Sequence, residues 1–563
     1  MQDIFKIEEY FSDKEIIRIL CKKRALAAKK AHDGHFLRNI SQEAVSPHKI
    51  LSKEIFKYFP PRKSWIRLDL KERNLRNTNS VKLNAIQLER TIHRVRKKAI
   101  KSGTKPQWLI ELDAFVTNIQ SDSLNGAKPY NIPKPIVYPV IKDKIKLEYR
   151  PISSFKLKDL IIIGQYSRYL TNCFDRLLLD CAYAFRTGID TKKSFNHHSA
   201  IEDIITYKNK HQNVYVSECD IKKFYDCVNH DVIKERFNSF VVRAKNELKI
   251  EIDDRAIQIF YSYLNCFSFN DDVAKKEKAL VGSKGSIPWV TKVELEDVGS
   301  DQDKDKIGVP QGGALSCLIA NLILDSVDRD VLASGGTDTF YSRFCDDMVL
   351  MNPAKVKCQE LFDIYQDSLK KVKLISHKPK SVKGYSKHFW GKDLKSKEPY
   401  AWNDSSLQSI YGTSISPWLS FVGYQLRYDG LTRIRKSSIE KELKKQVLET
   451  DKIISVLKKK NSASINGHAV VFRLQQRLIS MAVGRVQMNS KNLTMCWAAG
   501  FKVVKTNTNI KSQFKKLDRN REKQVARMIN FIAKVKTTKK KNPDPPIPLR
   551  YYGSKYSYHQ QFS

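Results

Sequence analysis

The 563-residue chain is predicted to fold as an α+β protein, helical at both ends with short strands between. Three patterns carry this reading. Val81, Ala85, Leu88, Ile92 and Val95 recur at helical spacing, with Arg and Lys between them. The stretches NVYVSECD (213–220) and TFYSRFCDDMVLMN (339–352) read as short strands that carry aspartates at their ends or bend. Ile439, Leu443 and Val447 resume the helical period near the other end, with Lys441, Lys444 and Lys445 between them.

In chain order, residues 1–127 form a basic helical extension. The proline-rich KPYNIPKPIVYPV (128–140) is an extended linker into a new unit over 128–219. VYPVIKDKIKLEYRPI there suggests a hairpin, and LIIIGQYSRYL a helix. Residues 220–430 carry strands, with insertions near 270–306 and 384–416. The first, around NDDVAKKEK and GSDQDKDK, reads as solvated. In GVPQGGALSCLIANLILD a glycine turn precedes a helix whose apolar stripe is Leu315, Leu318, Ile319, Leu322 and Ile323. Residues 431–541 are helical and strongly basic, and 542–563 form a Pro/Tyr-rich tail outside the core.

A net charge of +41 implies a polyanionic partner, and nucleic acid is the commonest. Hydrophobic residues at 41% exclude a disordered chain. Ten cysteines with no C-x-x-C argue against zinc ribbons and disulfide frameworks, and fit a reducing cytosol. No apolar run approaches the ~20 residues a bilayer span needs, and MQDIFKIEEYF lacks a signal core, so no membrane role and a cytoplasmic setting are expected.

The chemistry lies in three segments, ECDIKKFYDCVNHD, GVPQGGALSCLIANLIL and YSRFCDDMVLM. Magnesium is hard, prefers oxygen, and takes one or two carboxylates together with phosphate oxygens and water. A strand ending in Asp220, beside a hairpin bending at Asp346 and Asp347, brings such carboxylates together. Two ions there can stabilise the attacking and leaving oxygens of a nucleotidyl transfer. The other acidic doublets, Asp253–Asp254 and Asp271–Asp272, lack apolar strand flanks on both sides and read as solvated turns.

In order and spacing these segments resemble the palm motifs of reverse transcriptases, over about residues 128–450. The likeness is strongest to the bacterial branch of group II intron, retron and defence-associated enzymes. It implies a right-hand polymerase fold: fingers at 128–219, a palm with a ferredoxin-like antiparallel sheet, and a helical thumb. It also implies RNA-directed DNA synthesis from dNTPs, with two Mg2+ ions at Asp220, Ile221, Asp346 and Asp347. Arg150 matches a fingers arginine on the triphosphate, and Lys142 its lysine companion. YAFRTG (183–188) has Ala184 where glycine is usual. Gln311 and Gly312 match the segment that packs on template and incoming base. Lys380 resembles the lysine that protonates pyrophosphate, and Phe421, Gly423 and Tyr424 the primer grip. The alternatives are a surface charge for Arg150 or Lys380 and a strand bend for Gly423.

Tyr225 stands where the family holds an aromatic ring under the sugar, against a 2′-hydroxyl. Asp226 falls one place beyond the aspartate position of RNA-making polymerases, on the opposite face if the segment is a strand. DNA synthesis is therefore expected. The basic N-terminal extension and GYQLRYDGLTRIRKSSIEKE resemble defence-associated members. That implies a prokaryotic cytoplasm, a dedicated noncoding RNA as template, primer or product DNA, and a second reverse transcriptase or another copy of the chain as partner. Tyr551, Tyr552, Tyr556 and Tyr558 suggest protein priming, with docking of a terminus as the alternative. The rival functions are synthesis without a nucleic-acid template, RNA synthesis, and a non-catalytic RNA-binding scaffold.

Overall fold

The computed structural model describes residues 5–41, 51–76, 80–143, 146–188, 195–283, 285–381, 394–402, 418–459, 467–483, 501 and 508–537. Two compact units share the chain. One comprises Met1–Ile16, Phe115–Val422 and Arg427–Asp429; the other comprises Ile17–Ala114, Gly423–Leu426 and Gly430–Ser563. The N-terminal extension, expected as one piece through residue 127, is divided between them.

In the first unit, β1 (Ile136–Asp143) and β2 (Glu148–Ser154) form the expected antiparallel hairpin. The helix Leu157–Phe174 follows and buries Ile161, Ile162, Tyr166 and Leu170. A four-stranded antiparallel sheet then gathers β3 (Tyr215–Asp220), β4 (Phe340–Phe344), β5 (Asp347–Asn352) and β6 (Lys397–Ala401), in the order β4-β5-β3-β6. The helix Ala314–Gly335 starts behind Gly313 and buries the whole predicted stripe from Leu315 to Ile323. It packs on the helix Lys355–Lys371, which also lies against β3, β5 and β6. A buried ion pair fixes helix to sheet. Arg343 of β4 donates to Asp328 over 2.7–3.0 Å, and Tyr341 Oη donates to Asp328 at 2.8 Å. Both partners are almost fully enclosed, so removing either would leave a costly unpaired charge.

Two stretches depart from the sequence expectation. The segment 270–306 is not merely solvated. Its Val290 and Leu295 join Cys227, Ile307 and Ile375 in a buried cluster. Its Ser286 exchanges backbone hydrogen bonds with Leu147 and Tyr149 beside β2, at 3.1 and 2.8 Å. Its helices are only four or five residues long, too short for an apolar period to show. The stretch near 384–416 likewise contains β6. Lys397 there is buried and pairs with Glu218 at 2.7 Å, while Tyr400 Oη donates to Glu218 at 2.6 Å. A lysine at a buried strand position hides the strand from a hydropathy reading.

In the second unit the helix Ser80–Ser102 buries Ala85, Leu88 and Ile92, as its period predicts. The helices Lys436–Lys459, Gly467–Val483 and Thr508–Thr537 pack around Leu457, Leu474, Leu478 and Met528. Ile439 is buried, but Leu443 and Val447 are only half-buried. Gln446 takes the inner face instead, donating to Leu517 O at 3.3 Å. Lys511, Lys515, Lys516, Arg519 and Lys523 are exposed, whereas Arg521 turns inward beside Asp518. The tyrosines of the tail lie outside the described residues. Among the described residues no helix is long and apolar enough to cross a membrane.

Candidate active site

The site forms where β3 ends beside the β4–β5 bend. Asp220, the last residue of β3, is the direct partner of Asp347 across the antiparallel ladder. One residue on, Ile221 N donates to Asp346 O at 3.4 Å. The lone acid and the distant doublet are thereby brought together. Phe344 pairs with Asp347, leaving Cys345 and Asp346 as a two-residue turn. Cys345 takes φ 60, a left-handed conformation uncommon for a residue other than glycine. Its Sγ lies 3.2 Å from Tyr225 Oη, which holds the turn from the β3 side. Cys345 is buried with its thiol pushed up by burial, so it packs rather than reacts.

Burial, and then the charge of Asp220, raise the Asp346 carboxyl above its usual range. Such a pair lacks positive charge between its members. Lys395 supplies part of it: its Nζ donates to Asp220 Oδ2 at 2.6 Å and stands 3.1 Å from His377 Nε2. His377 N also donates to Asp220 O at 3.0 Å. No group of three or more His, Cys, Asp or Glu side chains suited to a metal occurs among the described residues. Magnesium does not need one, because it commonly takes one or two carboxylates and keeps water or phosphate as its other ligands. Asp220 and Asp346 match that donor set in number and chemistry, and the raised Asp346 carboxyl is what a cation there would relieve.

The expected strand geometry at Tyr225 and Asp226 is corrected. Phe224–Cys227 is a single helical turn entered through Lys223 at φ 52. Asp226 is therefore not on the far face of a strand but buried beneath Gln311, whose Nε2 donates to Asp226 Oδ1 at 2.5 Å. Burial pushes the Asp226 carboxyl up to about 6, against the pull of Gln311, Lys223, Arg150 and Lys142. Arg150 and Lys142 are thus among the charges that act on Asp226. Both are exposed, on β2 and β1. Gln311 is held twice, since its carbonyl accepts from Ser153 N of β2 at 3.0 Å. Gly312, at φ +98, follows it in a conformation that favours glycine.

Lys380 is exposed and holds β6 through its backbone, with its N donating to Ser396 O at 3.2 Å; the lysine on Asp220 is Lys395. Sequence reasoning missed Lys395 because it lies in the stretch taken for an insertion. KEPYA just after it shows no polar–apolar alternation that would have marked a strand there. Phe421 and Tyr424 are buried in the core. Tyr424 packs on Phe501 in the second unit, with ring centroids 4.9 Å apart. Gly423 takes φ +90 and accepts from Arg435 N at 2.8 Å. Arg186 of YAFRTG is also internal, paired with buried Asp175 at 2.9 Å.

Residues 140–402 match the family described as reverse transcriptase (RNA-dependent DNA polymerase). The match covers β2, the four-stranded sheet and all three aspartates, and it indicates an RNA-directed DNA polymerase, a nucleotidyltransferase, with a palm-type fold. No curated protein sequence matches. Among solved structures, apo telomerase from Candida tropicalis aligns at 13% identity and TM-score 0.36, over 76% of this chain and 70% of that one. Telomerase from Candida albicans in complex with a TWJ fragment of telomeric RNA aligns at 11% identity and TM-score 0.34, over 76% and 66%.

Proposed function

We propose that this polymerase domain adds deoxyribonucleotides to a DNA strand on an RNA template, with two magnesium ions held by Asp220, Asp346 and Asp347 and by the backbone of Ile221. The observation that carries the reading is the convergence of Asp220 on the Asp346–Asp347 turn. When bound, the ions would stabilise the attacking 3′-oxygen and the leaving pyrophosphate oxygen. The residues of the chain do the rest. Arg150 and Lys142 bind the triphosphate from the exposed hairpin. Gln311 and Gly312 face template and base. Tyr225, tied to Cys345, sets its ring under the sugar and excludes a 2′-hydroxyl. Lys380 donates the proton to pyrophosphate in the family pattern; Lys395, already at Asp220, is the second donor to test. Gly423 keeps the primer-grip role through its backbone. The sequence resemblance supports a dedicated noncoding RNA as template, a second reverse transcriptase or another copy of the chain as partner, and antiphage defence in a bacterial cytoplasm as the setting.

Purified protein is incubated with each single dNTP or rNTP, with and without its co-purifying RNA. The reading predicts incorporation of dNTPs that depends on the RNA. Incorporation without RNA favours non-templated synthesis, and none at all favours a binding scaffold. Tyr225→Ala is expected to raise rNTP use relative to dNTP roughly tenfold or more, since a steric clash is what it removes; an unchanged ratio removes Tyr225 from sugar selection.

A further inference from the structure

A second cationic site lies in the unit formed by Ile17–Ala114 and the C-terminal helices, in a region to which the polymerase reading gives no role. Arg24, on the helix Asp13–Ser41, is only 4% exposed. Its guanidinium lies 3.9 Å from the ring centre of Phe56 and 5.2 Å from that of Trp65. Neither its Nε nor its Nη1 has a hydrogen-bond partner among the described residues. Cation–π contact with two rings stabilises the charge, but it supplies no acceptor. A buried charge left this way is costly, and proteins ordinarily pair it. Here the charged neighbour is another cation. Burial, and then Arg62, lower the Arg24 guanidinium to about 10. Lys23 beside it is also lowered, by burial and by Lys22. Arg62 itself is exposed, at the start of the short helix Arg62–Ser64. The cluster thus has one desolvated guanidinium, that of Arg24, an exposed one on Arg62 whose like charge acts on it, and no acid among the groups that shift Arg24 or Lys23.

We propose that Arg24 and Arg62 form a phosphodiester-binding site, taking the backbone of a nucleic-acid strand, with Phe56 as the ring that covers it. A phosphate oxygen supplies the missing acceptor, and its charge separates the two guanidinium groups. Phe56 is 38% exposed and is the side chain that must shift to admit the phosphate, whereas Trp65 is anchored by its Nε1 donating to Pro60 O at 3.0 Å. A single strand fits this chemistry, because a base next to the bound phosphate can stack on the exposed ring.

The test titrates full-length wild type, Arg62→Ala and Arg24→Leu with labelled single-stranded RNA and DNA of about 20 nucleotides, over a range of salt and without nucleotides. Binding read without turnover keeps this site separate from the polymerase reading. Each substitution is expected to weaken binding roughly 3- to 10-fold, and to make the slope of log K against log salt shallower by about 0.7. Arg24→Leu is expected to keep or raise the melting temperature, because it replaces an unpaired buried charge by an apolar side chain. Loss with RNA alone assigns the site to the template, loss with DNA alone to primer or product, and loss with both to either strand. Arg62→Ala with unchanged affinity and slope overturns the proposal. So does Arg24→Leu that binds like wild type.

Discussion

Asp226 shows how one side chain ties the nucleotide pocket together. It lies under Gln311, within reach of the charges of Lys223, Arg150 and Lys142, and burial still lifts its carboxyl from 3.8 to about 6. A carboxyl raised in the fold keeps its proton where the unfolded chain has lost it. Its stabilising contribution is therefore full below about pH 4 and is lost as pH rises through about 6. Asp226→Asn keeps an oxygen for Gln311 and removes the charge. Its melting temperature should exceed that of wild type by a few °C at about pH 7.5, and the gap should narrow as pH falls through about 6 and close only below about pH 4. A gap that does not change with pH would show that Asp226 carries no titration burden in the fold.

The turn of Phe224–Cys227 owes its place to the backbone opposite. Val309 N donates to Tyr225 O at 2.8 Å, and Gly308 N to Val228 O at 2.7 Å. Gly308 has φ +87, and a Cβ there would meet Phe269 Cβ at 2.6 Å and Asp226 O at 2.9 Å. Gly308→Ala should cost about 2–4 kcal/mol in urea unfolding, by strain and by displacement of that turn. Gly164→Ala, inside a helix with open space around it, should be neutral or stabilising by up to about 1 kcal/mol. Equal effects at both positions would mean that the close approach is not what requires glycine. Elements with a clear period were legible in the sequence: the hairpin β1–β2, strands β3 to β5, and the helices Ala314–Gly335 and Ser80–Ser102. Asp220, Asp346 and Asp347 were legible as well, because an acid at a strand end and a doublet between apolar flanks leave a mark in one dimension. What stayed hidden depends on contacts distant in sequence. β6 carries a buried lysine whose partner, Glu218, is 179 residues away. Lys395 reaches Asp220 across 175 residues. Alternation along a strand fails to place Tyr225 and Asp226, because a helical turn that starts at Phe224 directs Asp226 toward Gln311.

At the scale of the whole molecule, a strongly cationic chain concentrates its acid chemistry at one place. Lysines and arginines outnumber acids 101 to 60, and this excess suits a protein that handles phosphate backbones. The account rests on the three aspartates acting together at the end of β3. The most direct test measures dNTP incorporation on a primed RNA by wild type and Asp346→Asn across a magnesium titration, with the melting temperature followed in parallel. The account predicts that Asp346→Asn loses activity by about 100-fold or more at every magnesium concentration, while it melts at or above the wild-type temperature, since burial and Asp220 already disfavour its charge. An Asp346→Asn chain that stays folded and copies RNA at the wild-type rate would contradict it.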